Sequence, residues 1–423
     1  MNILTIKAAL DGLTLFTAVK ERPLMRAFME LLSIADEGNT GNAREKSAVG
    51  AWAEFIREFI DNGQPTWARA VYRFARLDDN AFTRFVERLG KADGLLETAA
   101  ETGFCRLSEI AAFDVCALGF SIADTARKET PQAASHIETE VRALWRTEKG
   151  AQNPFTVPTA FTAFEQDVHA GGAGILATSA VFRWEGRLVP ASSPDPVRLS
   201  DFFGYEEQRS AVIANTQRFL EGKPANNILL YGDRGAGKSA TVKAVCNEYT
   251  DRGLRLVELN KDNLKQLPIL MGELSCRGPR FVIFIDDLSF ETTDDSFAVF
   301  KSLLEGGVEK RPDNTIIYAA TNRRHFVRER FVDGPRNFDA EQEQLSLSDR
   351  FGLTIVFTAP NQELFLRIAV AIAQKRGLIF DETSGRKFRE NALLWEKWFN
   401  GRSPRSAVQY VDWAMDGGDF PWE

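Results

Sequence analysis

From about Lys20 to Ala151 the apolar positions recur every third or fourth residue: Trp52, Phe55, Ile56 and Phe59, then Trp67, Val71 and Phe74, then Phe82, Phe85, Val86 and Leu89. A period of that length lays one apolar stripe along one face of a helix, so the segment predicts a bundle of amphipathic helices. Short polar turns separate them, DNGQ at 61–64 and DD at 78–79. The aromatic stripe fits the buried side of such a bundle better than a ligand box. No fixed-period repeat is present.

The pattern changes after Ala160. AGGAG at 170–174 lies in an apolar surround, but no lysine and serine follow Gly171, Gly172 and Gly174, which favours packing or a hinge over a phosphate cradle. VPASSPDP, Val189 to Pro196, concentrates proline and serine and predicts a linker. The expected division is therefore 1–195, a mainly α-helical N-terminal domain, then 196–359, then 360–423. Beyond the linker a helix is expected from near Tyr205, with Phe203 and Gly204 just before it. Those two residues either pack against a purine ring or simply anchor the helix.

Five short apolar runs follow: Ile228–Tyr231, Leu254–Leu259, Phe281–Ile285, Asn314–Asn322 and Leu353–Phe357. Continuous apolar runs of this length suit parallel strands covered on both faces. With helical text between them, they predict an α/β domain. From Pro360 the periodicity is helical again; Ser403 suits an N-cap and Pro404 the first helical position.

The first run leads directly into GDRGAGKS, which has Gly232, four residues, then Gly237, Lys238 and Ser239, with helical text from Ala240. This is the spacing of a phosphate-binding loop between strand and helix. Gly232, Asp233, Arg234, Gly235, Ala236 and Gly237 supply backbone N–H groups, and the glycines permit left-handed backbone with no side chain in the way. The helix beginning near Ala240 adds its positive end. Lys238 reaches the β and γ phosphates, and the Ser239 hydroxyl is placed for a magnesium ion. ATP and Mg²⁺ are the expected ligands.

The Phe281–Ile285 run ends in two carboxylates, at the strand edge where such sheets bind ligands. Asp286 is the candidate for holding magnesium and Asp287 for polarising an attacking water. Thr321 and Asn322 close the next strand, and Asn322 is a neutral group able to position that water. Arg350 precedes the last strand and either pairs with Asp349 or serves as a finger toward a neighbouring subunit. Arg405 is either a surface arginine or one carried back to the nucleotide by a helical lid. The basic stretch Arg323, Arg324, His325, Arg328 and Arg330 suits a solvated face more than a subunit or nucleic-acid contact. NKDN at 260–263 has its aspartate one place too early for guanine recognition, which disfavours a GTPase.

Composition narrows the classes further. The 423 residues exceed one ordinary core, and the formal net charge of −7 argues against a surface that binds nucleic acid throughout. Cys105, Cys116, Cys246 and Cys276 lie far apart without a zinc spacing, so reduced thiols are expected. No stretch has the length and apolarity of a membrane span or the form of a leader peptide. A cytoplasmic protein is expected.

Taken in order, GDRGAGKS, FIDD, AATN, SDRF and GRSPR resemble the AAA+ class of P-loop ATPases over roughly 196–423. The longer strings NNILLYGDRGAGKS, DDLSFE, TNRRH, SLSDRFG and GRSPR are similar to a bacterial ATPase family catalogued as a domain of unknown function. The resemblance implies a parallel five-stranded sheet with helices on both faces and a C-terminal helical lid. It implies Lys238 and Ser239 as Walker A, Asp286 and Asp287 as Walker B, Asn322 as sensor 1, Arg350 as arginine finger and Arg405 as sensor 2. One departure stands out: the wider class has Asp-Glu where this chain has Asp286 and Asp287, which points to slow turnover unless Glu291 or a water compensates. The expected activity is magnesium-dependent ATP hydrolysis coupled to assembly of a homo-oligomer and to remodelling of a protein partner met by the N-terminal helices. A non-hydrolysing ATP-binding scaffold and a nucleic-acid loader are the alternatives.

Overall fold

The computed structural model describes residues 2–36, 42–128, 130–156, 159–288, 290–291, 300–301, 304, 311–322, 327–328, 350–399 and 401–417. Contacts divide the chain into two compact units, Met1–Thr178 and Ser179–Glu423.

The first unit is helical: α1 (Ile3–Asp11), α2 (Pro23–Asp36), α3 (Asn42–Asn62), α4 (Trp67–Arg76), α5 (Ala81–Leu89), α6 (Gly94–Ala111), α7 (Val115–Ala126), α8 (Pro131–Glu148) and α9 (Ala160–Gly171). Local signals set the ends. The Thr66 hydroxyl accepts from the Arg69 N–H to start α4, and Asn80 forms a capping box with Thr83 at the head of α5. Gly90, at φ 81°, closes α5 in the left-handed region that glycine tolerates. The aromatic stripe is core: Trp52, Phe55, Phe59, Trp67, Val71, Phe74, Phe82 and Val86 are all buried. Phe28 and Trp67 meet at 4.5 Å between ring centroids, and the Trp67 indole N–H donates to the Ile110 carbonyl at 2.8 Å. Leu89 departs from the expectation at 66% exposed, because the chain turns at Gly90 before the stripe reaches it. The AGGAG segment serves packing. A Cβ on Gly174 would lie 2.8 Å from Asp79 Cβ, and the Ala173 N–H is taken by the buried Glu87 carboxylate.

The second unit holds a seven-stranded sheet built from β1 (Val181–Trp184), β2 (Leu188–Pro190), β3 (Ile228–Gly232), β4 (Leu254–Glu258), β5 (Arg280–Ile285), β7 (Thr315–Thr321) and β9 (Leu353–Phe357). The two-residue strands β6 (Phe290–Glu291) and β8 (Val327–Arg328) pair with each other separately. The order in the sheet is β2-β1-β4-β5-β7-β3-β9, parallel throughout except for β2. All five strands expected from the apolar runs are present and adjacent. The sheet nevertheless has seven strands, not five, because the β1–β2 hairpin adds itself beside β4 through the register Val181 to Leu256. The second compact unit, from Ser179, includes this hairpin. The Pro/Ser-rich stretch after β2 is tied down rather than loose, since the Asn247 side-chain amide donates to the carbonyls of Asp195 (2.8 Å) and Val197 (2.9 Å).

Helix α10 (Glu206–Leu220) precedes β3, α11 (Lys238–Glu248) follows it, and α12 (Leu267–Ser275) leads into β5. After β9 come α13 (Gln362–Lys375), α14 (Glu382–Trp398) and α15 (Pro404–Met415). Ser403 caps α15 in a capping box with Ser406, and Pro404 occupies its first turn. Tyr410 locks α15 to α14 by donating to the Phe388 carbonyl at 2.6 Å. No described helix is long and apolar enough to cross a membrane.

Candidate nucleotide site

The strand order decides where the chemistry gathers. β7 lies between β5 and β3, so the carboxyl ends of these three strands adjoin, and the chain leaves β3 for β4 on the far side of β5. Ligands of open parallel sheets bind outside the carboxyl ends at such a switch. A cleft of about 850 Å³ opens there.

The loop after β3 has the backbone that its glycines permit, with φ 138° at Gly232, 76° at Gly235 and 94° at Gly237. A Cβ on Gly232 would fall 2.0 Å from the carbonyl oxygen of Phe357 in β9, so no other residue fits. Asp233 fixes the loop further: its N–H donates to the Phe357 carbonyl at 2.9 Å, and its carboxylate accepts the Ala359 N–H. Gly235 faces α15, accepting the Arg405 N–H at 3.3 Å. The loop is thus pinned by β9 on one side and by α15 on the other.

Lys238 is 5% exposed and donates to three oxygens: the carbonyls of Gly232 (2.9 Å) and Asp233 (2.8 Å) and Asn322 Oδ1 (2.8 Å). Burial pulls its pKa down, while Asp233, Asp286 and Asp287 act to raise it. The Ser239 hydroxyl donates to Asp286 Oδ1 at 2.7 Å, and the same oxygen accepts the Asp287 N–H at 2.9 Å. Asp287 itself adopts φ 50°. That left-handed turn accompanies a bond from Asn322 Nδ2 to Asp287 Oδ1 at 3.1 Å. One amide side chain therefore joins the loop lysine to the second carboxylate.

Arg234, Gly235, Ala236, Gly237, Lys238, Ser239, Ala240, Asp286, Asp287, Asn322, Phe203 and Arg405 all line the cleft. Gly232 and Asp233 lie just behind, bonded to Lys238 through their carbonyls. Gly204 does not face the cleft. Its φ of 74° and missing side chain allow close packing, since a Cβ there would come within 3.0 Å of Leu364 and 3.1 Å of Ile368. Arg350 is not among the lining residues either; it immediately precedes the buried Phe351. Arg323, Arg324, His325, Arg330, Asp349 and the side chains of Arg328 and Glu291 lie outside the described residues.

Several lining residues carried no signal as individual letters. Ile368 and Ile372 of α13 and Val408 of α15, with Phe202 and Phe203, give the cleft an apolar wall. Lys375 donates to Asp201 Oδ1 (2.6 Å) and to the Ser200 carbonyl (2.7 Å), and this lysine holds the Asp201 carboxyl below the usual range. Arg209 lines the cleft from α10, and burial pulls its guanidinium below the usual arginine value. Its position was readable as periodicity: Arg209, Val212, Thr216 and Phe219 share one buried helical face.

The arrangement fits a nucleoside triphosphate with a hard divalent cation. Glycines leave room for phosphate oxygens at a helix N-terminus, and a hydroxyl with a carboxylate is the sparse oxygen set that magnesium shares with phosphates. No group of three or more His, Cys, Asp or Glu residues able to hold a metal occurs among the described residues.

The model of a family described as "Protein of unknown function (DUF815)" matches residues 177–417, more than half of the chain. The chain belongs to this family. It is also 27% identical over 129 residues to the replication factor C large subunit of Thermofilum pendens, a match covering 28% of this chain and 30% of that protein. The replication factor C large subunit of Methanococcus vannielii is 24% identical over 131 residues, covering 30% of this chain and 26% of the relative. The match thus spans less than a third of each curated relative. Among solved structures, the Thermotoga maritima RuvB Holliday junction branch migration motor aligns at 16% identity with a TM-score of 0.36, over 52% of this chain and 65% of that one. The motif resemblance to a family catalogued as a domain of unknown function is borne out by this family match.

Proposed function

We propose that this DUF815 protein is a magnesium-dependent ATPase of the AAA+ type that couples ATP binding or hydrolysis to self-assembly and to remodelling of a protein partner. The observation that carries the reading is the bonded series Lys238, Asn322, Asp287, set beside Ser239 and Asp286 at the mouth of one cleft. In this reading Lys238 exchanges its contact with Asn322 for phosphate oxygens. Ser239 and Asp286 hold the cation, which when bound offsets charge on the β and γ phosphates. Asn322, released from Lys238, orients a water, and Asp287 accepts its hydrogen bond. Arg350, which is not among the residues lining its own cleft, is offered to the site of a neighbouring copy. Arg405 is carried on the first turn of α15, which already touches the phosphate loop, and the helices after β9 act as a lid.

A slow switch is the second reading, favoured by Asp287: a left-handed backbone and a bond to Asn322 hold the acid that the wider class has as glutamate. The nucleic-acid loader alternative would need a basic surface, and the chain's net charge of −7 counts against one that covers the whole molecule. Phosphate release and native mass, measured with and without ATP and magnesium, test the proposal. Phosphate release with a magnesium-dependent mass increase is expected. Nucleotide binding with no phosphate release would leave the switch as the function.

A further inference from the structure

Arg209 is the one buried arginine among the described residues that line the cleft, and its guanidinium makes no hydrogen bond there. It is 9% exposed. Its carboxylate neighbour, Glu206, lies 3.8 Å away, too far for a hydrogen bond, and the Glu206 side chain is 67% exposed. Glu206 is also engaged elsewhere, accepting the Gly204 N–H at 2.9 Å. A desolvated charge without hydrogen-bond partners is costly in a resting protein, and natural structures retain one where a ligand completes it.

The surroundings say which part of the ligand. The guanidinium carbon lies 5.5 Å from the Phe202 ring centroid, and Phe202 in turn stands 4.0 Å from where a Cβ on Gly237 would be. Phe202 therefore stands beside both Arg209 and the glycine loop. The loop already has its own cation in Lys238. Gly204, in the same 202–209 segment, packs on Leu364 and Ile368, at the apolar wall of the cleft. A guanidinium beside an aromatic ring presents its N–H edge to planar acceptors.

We propose that Arg209 binds the nucleoside half of the nucleotide, donating to ring-nitrogen or ribose-oxygen acceptors, and does not contact phosphate. This rests on the nucleotide reading of the cleft and adds to it a residue that distinguishes a nucleoside triphosphate from a bare polyphosphate.

The test uses the full chain and two ligands, ATP and inorganic tripolyphosphate, each titrated by calorimetry with magnesium into native protein, Arg209→Met and Arg209→Lys. Arg209→Met is expected to weaken ATP by about tenfold or more, the scale of one hydrogen bond to a charged group, and to leave tripolyphosphate within about twofold. Arg209→Lys is expected to fall between native and Arg209→Met for ATP. The ligand-free melting temperature of Arg209→Met should be no lower than native, since the substitution removes a buried charge that lacks a hydrogen-bond partner. Equal weakening of both ligands would overturn the assignment, as would a lowered ligand-free melting temperature accompanying the loss of ATP. Native protein that binds neither ligand would sink the nucleotide reading itself and this proposal with it.

Discussion

Asn322 Nδ2 donates to Asp287 Oδ1 across 3.1 Å, a bond that ties the carboxyl end of β7 to that of β5. The same side chain accepts from Lys238 at 2.8 Å, so the loop cation and the second carboxylate communicate through one amide. Replacing it with alanine should cut phosphate release by about 10²-fold, the usual scale for one preorganised polar group, while ATP affinity changes little. Steady-state phosphate release with a nucleotide titration measures both. An unchanged kcat would remove Asn322 from the reaction.

Asp287 sits at φ 50°, where aspartate is tolerated far better than longer side chains. The shorter acid is therefore matched to its turn. Asp287→Glu should lower stability by about 1 kcal/mol without raising turnover. Urea midpoints and phosphate release report these separately, and a faster, equally stable variant would show that the turn does not select the residue.

Gly232 and Gly237 are both left-handed, but for different reasons. A Cβ at 232 strikes the Phe357 carbonyl at 2.0 Å, whereas one at 237 has the Phe202 ring 4.0 Å away as its nearest neighbour. Gly232→Ala should therefore cost more than about 3 kcal/mol by forcing β3 and β9 apart, and Gly237→Ala about 1 to 2 kcal/mol of backbone strain alone. Chemical denaturation of the two variants side by side checks the order, and similar losses would contradict it.

Arg350 is outside its own chain's cleft lining. If it completes a neighbour's site, Arg350→Ala should lower turnover by about 10³-fold or more, and mixing it with Lys238→Ala should restore a fraction of activity through interfaces with one intact site. No recovery across mixing ratios, with assembly verified by native mass, would place Arg350 outside the reaction.

Ser403 caps α15 beside the phosphate loop, and a Cβ on Gly235 would approach its Oγ to 3.0 Å. Ser403→Ala should cost about 1 kcal/mol and weaken ATP binding as well, because the helix start that loosens is the one bonded to Gly235. Thermal melts with and without ATP measure the two effects. Lost stability with native ATP affinity would uncouple the helix from the loop.

Much of this was legible in the letters because central parallel strands must be apolar on both faces. Phe281–Ile285 is wholly buried, and so is Thr315–Thr321, which no other element would explain. The β1–β2 hairpin was not legible: four and three residues long, with Arg183 exposed on its outer face, it has neither the length nor the continuity of a buried strand. The glycine-rich loop after β3 and the two carboxylates after β5 were readable as local spacing. The wall of Ile368, Ile372 and Val408 was not, because an isoleucine on an amphipathic helix gives no sign of whether it meets protein or ligand. Arg209 was hidden for the opposite reason, a charged residue in a charged first turn whose burial only the helical period reveals.

Asn247 and Lys238 belong to one helix, α11, whose first residue faces the phosphate site and whose far end grips the chain at 195–197. Eleven residues make a rod about 16 Å long, stiff along its axis. A tilt of roughly ten degrees, pivoting at the loop, would displace the distal end by about 3 Å over that length. Any such tilt would pull on the polypeptide arriving from the β1–β2 hairpin, making the Asn247 tether the far end of a lever arm whose fulcrum is the glycine loop.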